Sequence, residues 1–238
     1  MLFFYIRHGD PTYNPDALTP LGRRQAEALS RRLCTYGVDK IYSSTSTRAI
    51  ETATPTAEIL KLPIGQFEWA HENLSYRAMH VKNEKGERTW IFAAPKYKEL
   101  FNSPAMRALG ERWTEHEAIR DTAIPAHIEY IARETDAFFE TLGYRHDREN
   151  ARFLPIHPTE ERVAFFAHQG FGMLFLSQIL DLPYPQFATR HNISHTGMTV
   201  INFRETDGVV YPQMLELSND SHLWRDGLPT FYNNTYRF

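Results

Sequence analysis

Two short segments hold the side chains best suited to chemistry: Arg7-His8-Gly9, which follows LFFYI, and His168-Gln169-Gly170, which follows VAFFA. Each apolar run lacks alternation, so each reads as a strand buried on both faces, the habit of parallel sheets covered by helices. Charge begins where each strand should end. In open α/β sheets the crevice outside the carboxyl ends of the strands is where ligands bind. If the two strands are parallel neighbours, the two imidazoles meet there. Arg7 adds a fixed positive charge beside His8, and Arg48 falls in the first turn of a helix that starts where a second strand stops. Helix N-termini attract anions through unpaired N–H groups and the helix dipole, so this edge gathers positive potential from several sources. A phosphate fits such a place.

The elements that position these residues follow from pattern. After the first strand, residues 10–18 read as a polar loop. The helix TPLGRRQAEALSRRL then has Thr19 as N-cap, Pro20 at its first position, Leu21, Ala28, Leu29 and Leu33 on one face, and Gly37 as its stop. A strand at 40–43 runs into a helix with Ala49, Ile50, Ala53, Ala57 and Leu60 inward, where Pro55 predicts a kink or a break at about 3 kcal/mol. A strand at 66–69 completes β-α-β-α-β, hence a parallel sheet. Residues 75–121 carry charge and aromatic residues, helical stretches near 96–109 and no strand pattern. A long helix over 125–142 stops at Gly143, and 144–161 is a polar connection with room for a hairpin. The sheet resumes at 163–167, a helix spans 170–180, and strands at 198–203 and 209–217 form a closing hairpin. The expected fold is α/β: a doubly wound, mostly parallel sheet with helices on both faces. One domain would span 1–238, with a helical insertion at about 75–121, extending at most to 150, over the carboxyl edge of the strands.

Composition narrows the function classes. The 238 residues are 42% hydrophobic and 23% charged, with formal net charge -3, so no basic excess speaks for nucleic acid. No apolar run approaches the ~20 residues of a membrane span. A cytoplasmic location is expected, with no membrane partner. The lone Cys34 excludes an intramolecular disulfide and suits a reducing compartment.

Arg7-His8-Gly9 with Asn14, LTPLGRRQA, Arg48 in TRAIETA, Glu72 in HENL, His168 and the late NDSHL together resemble the histidine phosphatase superfamily, the phosphoglycerate-mutase-like fold. The likeness covers roughly the first third and 163–223. It implies that His8 is the nucleophile that accepts a phosphoryl group, that Arg7, Asn14, Arg48 and His168 surround the phosphate, and that Glu72 donates the proton. Glu68 competes with Glu72, although it falls within the expected strand. Gln169 stands where many relatives have glycine directly after the histidine. Asp10-Pro11 replaces an acidic-plus-hydroxyl pair common in the family.

The implied activity is that of a histidine acid phosphatase-type phosphoric monoester hydrolase, a metal-independent phosphomonoesterase acting through phosphohistidine on a small-molecule phosphate ester, with no cofactor. Two alternatives stay open: a mutase using the same intermediate, and a phospho-ligand binding protein without turnover. Family mutases carry an arginine-histidine-tyrosine-glycine stretch after the acid, and this sequence has none. Other signals read as structural. His191 and His195 have zinc-pair spacing but no acidic third ligand, so no metal is expected. Trp90, Phe92, Tyr97, Phe101 and Trp113 read as core of the insertion. Gln169 and Arg77 are candidate contacts to the rest of the substrate, although a solvated face explains Arg77, His80, Lys82 and Arg88 as well. The tail WRDGLPTFYNNTYRF could cover an apolar patch or a second copy; a homodimer is left undetermined.

Overall fold

In the computed structural model, which describes residues 1–232, Leu2–Arg7 forms β1, and residues 3–6 are buried whichever way they point. Phe3 and Tyr5 enter a core on one side of the sheet, Phe4 and Ile6 a core on the other. That is why the run shows no polar alternation. Residues expected as a polar loop instead make a small hairpin, β2 (Pro11–Tyr13) with β3 (Asp16–Leu18). Its strands are too short for a period-two pattern to register.

Helix α1 (Pro20–Tyr36) starts as its sequence says: Thr19 Oγ1 accepts from the Gly22 amide at 3.0 Å, and the chain leaves at Gly37 with φ 76°. Strand β4 (Lys40–Ser44) leads into α2 (Thr47–Leu60), which continues through Pro55 without the expected break. The cost of one missing backbone bond is met by a face of Ala49, Thr52, Ala53, Thr56 and Ala57 buried against the sheet and α1. Strand β5 (Ile64–Phe67) ends earlier than the sequence pattern suggested, so Glu68 follows the strand rather than lying in it.

The segment 75–121 gives no strand to the central sheet. After α3 (Glu72–Met79) it holds a hairpin that the sequence reading lacked, β6 (His80–Lys82) with β7 (Arg88–Trp90), then α4 (Pro95–Phe101) and α5 (Pro104–Leu109). Asn83 closes that hairpin, its Oδ1 accepting from the amides of Lys85 and Glu87. Helix α6 (Ile124–Thr141) ends before Gly143 at φ 92°, and β8 (Tyr144–Asp147) pairs with β9 (Arg152–Pro155).

The chain re-enters the sheet as β10 (Arg162–Ala167), followed by α7 (Gln169–Ile179), α8 (Tyr184–Arg190) and β11 (Met198–Asn202). The expected closing hairpin is divided. Short strands β12 (Glu205–Thr206) and β13 (Val209–Val210) join β9 and β8 in a separate sheet, while β14 (Gln213–Asn219) pairs with β11; α9 (Ser221–Arg225) follows. The central sheet has the order β14-β11-β1-β10-β4-β5, in which β11 alone opposes the rest. Leu29 and Leu33 of α1 and Ala53 and Ala57 of α2 cover one face, and Ile131 and Phe138 of α6 with Phe171 and Phe175 of α7 cover the other. The chain is therefore α/β, doubly wound and mostly parallel.

Two registers matter for the site. Arg7 pairs with Ala167 across β1 and β10, so His8 and His168 leave the sheet in step. Ile6 pairs with Met198 on antiparallel β11, so the residues just before β11 arrive at the same edge.

Candidate active site

At the carboxyl ends of β1 and β10 the rings of His8 and His168 lie 5.2 Å apart, both buried. His8 Nδ1 sits 2.7 Å from the Gly9 carbonyl oxygen. A carbonyl only accepts, so Nδ1 carries the proton and Nε2 keeps its lone pair. Burial first, then the neighbouring His168 ring and the charges of Arg7 and Arg48, hold the His8 pKa well below the usual histidine value. Gly9 is required at this turn, because a Cβ there would come within 2.7 Å of the Gly22 carbonyl oxygen.

Arg7 is buried at 1% exposure, which presses its pKa down to about 10 without threatening its charge at neutral pH. Its Nη1 donates to the Ile193 carbonyl at 2.6 Å and its Nη2 to His195 Nε2 at 2.9 Å. Arg48, at the start of α2, donates from Nη1 to Asp16 Oδ1 at 2.6 Å and from Nη2 to His168 Nδ1 at 3.1 Å. Since guanidinium only donates, His168 Nδ1 accepts, and its Nε2 proton points to Ser44 Oγ at 2.7 Å. Tyr5 braces the same residue, its hydroxyl donating to the His168 carbonyl at 2.5 Å. Burial first, then Arg48, His71 and Arg7, keeps His168 neutral.

Glu72 opens α3 and reaches across to the start of α7, where its Oε1 accepts from the Gly170 amide at 3.0 Å. Its buried Oε2 has no hydrogen-bond partner among the described residues and lies 3.6 Å from His168 Nδ1. Burial raises this carboxyl to about 7, against the opposing pull of Arg48, Arg7 and the Gly170 amide. A group that titrates there can both give and take a proton near neutrality. Glu68, the competing acid, is exposed and 2.5 Å from Thr45 Oγ1.

His8, Arg7, Arg48, Glu72 and Gln169 line one cleft, and His168 is buried behind them. Asn14 and Arg77 do not line it. Asn14 is exposed at the turn between β2 and β3, and Asp16 of that hairpin is what reaches Arg48. Arg77 is exposed on α3, while its neighbour Tyr76 faces the cleft. Of the aromatic residues, Phe101 and Trp113 are core as expected, but Trp90 and Phe92 form part of the cleft wall.

Three neighbours of the site escaped the sequence reading. His195, weighed only as half of a zinc pair with His191, stands beside Arg7, its ring 5.8 Å from that of His8 and its Nδ1 3.4 Å from Asp10 Oδ1. His191 instead packs against Phe187, the ring centroids 4.5 Å apart and the planes tilted by 39°. Asp16 and Ser44 orient Arg48 and His168. Placing the strand at 198–203 antiparallel beside β1 would have found His195, since residues just before such a strand fall at the end of β1; Thr196 indeed donates its amide to the Arg7 carbonyl at 3.1 Å.

A doubly wound sheet whose parallel strand ends present one imidazole, two guanidinium groups and a carboxyl to one cleft, with a second imidazole buried behind them, is the frame of a phosphoryl-handling α/β protein. The chain belongs to the histidine phosphatase superfamily, branch 1, whose family model matches residues 3–122. That match spans Glu72 and the segment the sequence reading left without a likeness, and it ends before His168. Solved structures of similar fold include a phosphoserine phosphatase from Entamoeba histolytica, 18% identical with TM-score 0.58 over 93% of this chain and 98% of that one. An alpha-ribazole phosphatase from Shigella flexneri is 16% identical with TM-score 0.58 over 92% and 97%. A mycobacterial glucosyl-3-phosphoglycerate phosphatase is 18% identical with TM-score 0.55 over 93% and 98%. No curated protein sequence matches the chain. Among the described residues no helix is long and apolar enough to cross a membrane.

Proposed function

We propose that the protein is a phosphomonoesterase that hydrolyses a small phosphate ester through a phosphohistidine on His8. The observation that carries the reading is the fixed tautomer of His8, which leaves a neutral Nε2 lone pair in a cleft shared with two guanidinium groups and a carboxyl of pKa about 7.

The first step forms the Nε2–P bond and breaks the ester P–O bond in line. Positive charge grows on the imidazole, and the Nδ1–H bond to Gly9 stabilises it. Arg7 and Arg48 take the charge of the equatorial oxygens, and His168 holds Arg48 from behind through its Nδ1, so the positive charge that phosphoryl transfer demands comes from side chains. Gln169, which follows His168 and lines the cleft, is assigned a contact on the ester oxygen side in this reading. Glu72 gives its proton to the departing alkoxide. A water then attacks phosphorus, Glu72 takes the proton of that water, the P–N bond breaks and Nε2 recovers its lone pair.

In this reading 1–238 is one domain and 75–121 is a cap that selects the alcohol half. The test is phosphate release from a panel of monoesters, run beside a bisphosphoglycerate-dependent isomerisation assay, with wild type and His8→Ala. Hydrolysis by wild type alone supports the reading. Isomerisation without net release would support a mutase, and tight phosphate binding without either would support a binding protein.

A further inference from the structure

The phosphate-binding end fills only part of the cleft, whose volume of about 1020 Å³ is at the top of the range that encloses a drug-sized ligand. A small ester would leave most of that space as water, so the far wall is informative about the alcohol half. Its aromatic part comes from the cap segment: Tyr76 and Trp90 meet edge to face at 5.2 Å, and Trp90 stacks on Phe92 at 5.5 Å. The Trp90 indole is pressed against Gly170, where no Cβ would fit, so this wall abuts the residue whose amide holds Glu72. It therefore stands where a leaving group must lie.

The charge of the cleft is divided. Its two carboxylates, Asp16 and Glu72, both sit at the phosphate end, one on Arg48 and the other on the Gly170 amide. The rest of the lining carries Lys98 of α4 and Arg190 of α8 and, among the described residues, no further acid. Neither cation forms an ion pair among the described residues. Arg190 is nevertheless held in place: its Nη2 donates to Asn102 Oδ1 at 2.7 Å, and the same amide donates to Thr189 Oγ1 at 3.1 Å, tying the end of α4 to α8. A positioned guanidinium with an unengaged ammonium on the facing helix is a receptor for an anion.

We propose that the alcohol half of the substrate is a ring-bearing group with a second anion, the ring lying on Trp90 and Tyr76 and the anion between Lys98 and Arg190. This deepens the phosphomonoesterase reading and rests on it for the position of the ester. The second anion supplies binding energy remote from the reacting bond, which can be used to align the ester for attack.

Matched probes test it. Phenyl phosphate and 4-carboxyphenyl phosphate are compared as substrates, and benzylphosphonate and 4-carboxybenzylphosphonate as non-hydrolysable ligands in calorimetry, using wild type, Trp90→Leu and the Lys98→Ala/Arg190→Ala double variant. Wild type is expected to favour the carboxylated member of each pair by roughly tenfold, the scale of one charge-assisted contact in a partly wet site. The double variant should bring that ratio close to one, and Trp90→Leu should weaken both aryl ligands relative to ethyl phosphate. Equal handling of the two members by wild type, or a ratio unmoved in the double variant, overturns the proposal. If phenyl phosphate is hydrolysed without preference, the inference fails and the phosphatase reading stands. If the phosphonates show the preference but no ester is hydrolysed, the anion site stands and the phosphatase reading fails.

Discussion

The Nδ1 atom of His8 lies 2.7 Å from the carbonyl oxygen of Gly9, the next residue in the chain. One backbone oxygen therefore decides which nitrogen can attack phosphorus. Since burial and the neighbouring cations also hold the ring neutral, His8 should stay in the Nδ1–H tautomer between pH 8 and about pH 6, below the ordinary histidine value. Nitrogen-15 chemical shifts of the His8 ring check this: a ring that protonates with an ordinary midpoint, or that carries its proton on Nε2, disagrees with the geometry.

Glu72 titrates at about 7 in the free protein because it is buried. As the proton donor it must be protonated when ester enters, so kcat/KM should fall as pH rises through about 7. Glu72→Gln should remove that limb and lower kcat on alkyl phosphates by about 10²- to 10⁴-fold, the usual worth of a general acid. An aryl ester with a good leaving group should lose much less in the first step. Equal losses on both ester types would place Glu72 in binding instead.

His195 offers Nε2 as an acceptor to Arg7 Nη2 at 2.9 Å, while its Nδ1 faces Asp10. His195→Leu removes that acceptor from a buried charged donor, which should cost about 10- to 100-fold in kcat/KM. The loss should appear mainly in KM and in the Ki of inorganic phosphate. His195→Gln, with an oxygen near the lost Nε2, should restore most of it. Equal losses in the two variants with Ki unmoved would make His195 a packing residue.

Away from the cleft, His146 is fully enclosed between two carboxylates, with Nδ1 3.0 Å from Asp136 and Nε2 3.1 Å from Asp181. Burial lowers its pKa, but the bonds to Asp136 and Asp181 outweigh this and raise it. A histidine raised in the folded state contributes stability that is complete below its unfolded pKa, about 6.5, and is lost as pH rises through the folded value. His146→Gln should cost about 2 kcal/mol near pH 6. The difference from wild type in denaturant unfolding should shrink as pH rises above the folded pKa. A difference independent of pH would mean that shape rather than charge matters there.

The strands that end in His8 and His168 were legible because burial on both faces removes polar residues and leaves charge to mark the strand end. Parallel pairing then fixed their meeting. Arg48 was legible because it opens a helix at the same edge. Elements of three residues were not legible: β2, β3, β6 and β7 are too short for a periodic signal, and they bring Asp16 and Trp90 to the cleft. Of the kink or break expected at Pro55, the break does not occur, because local propensity is outweighed by the buried alanine face of α2. His195 was hidden for a topological reason: its proximity to His8 depends on β11 lying beside β1, which sequence spacing does not encode.

The central claim is that the phosphoryl group rests on one nitrogen of one histidine. Rapid acid-free quenching of wild type with a phosphorus-32-labelled ester, followed by proteolysis and mass spectrometry, reads it directly. An acid-labile label on the peptide that carries His8, absent from His8→Ala together with turnover, is the predicted result. Label on another residue, or a His8→Ala variant that turns over at the wild-type rate, would contradict it.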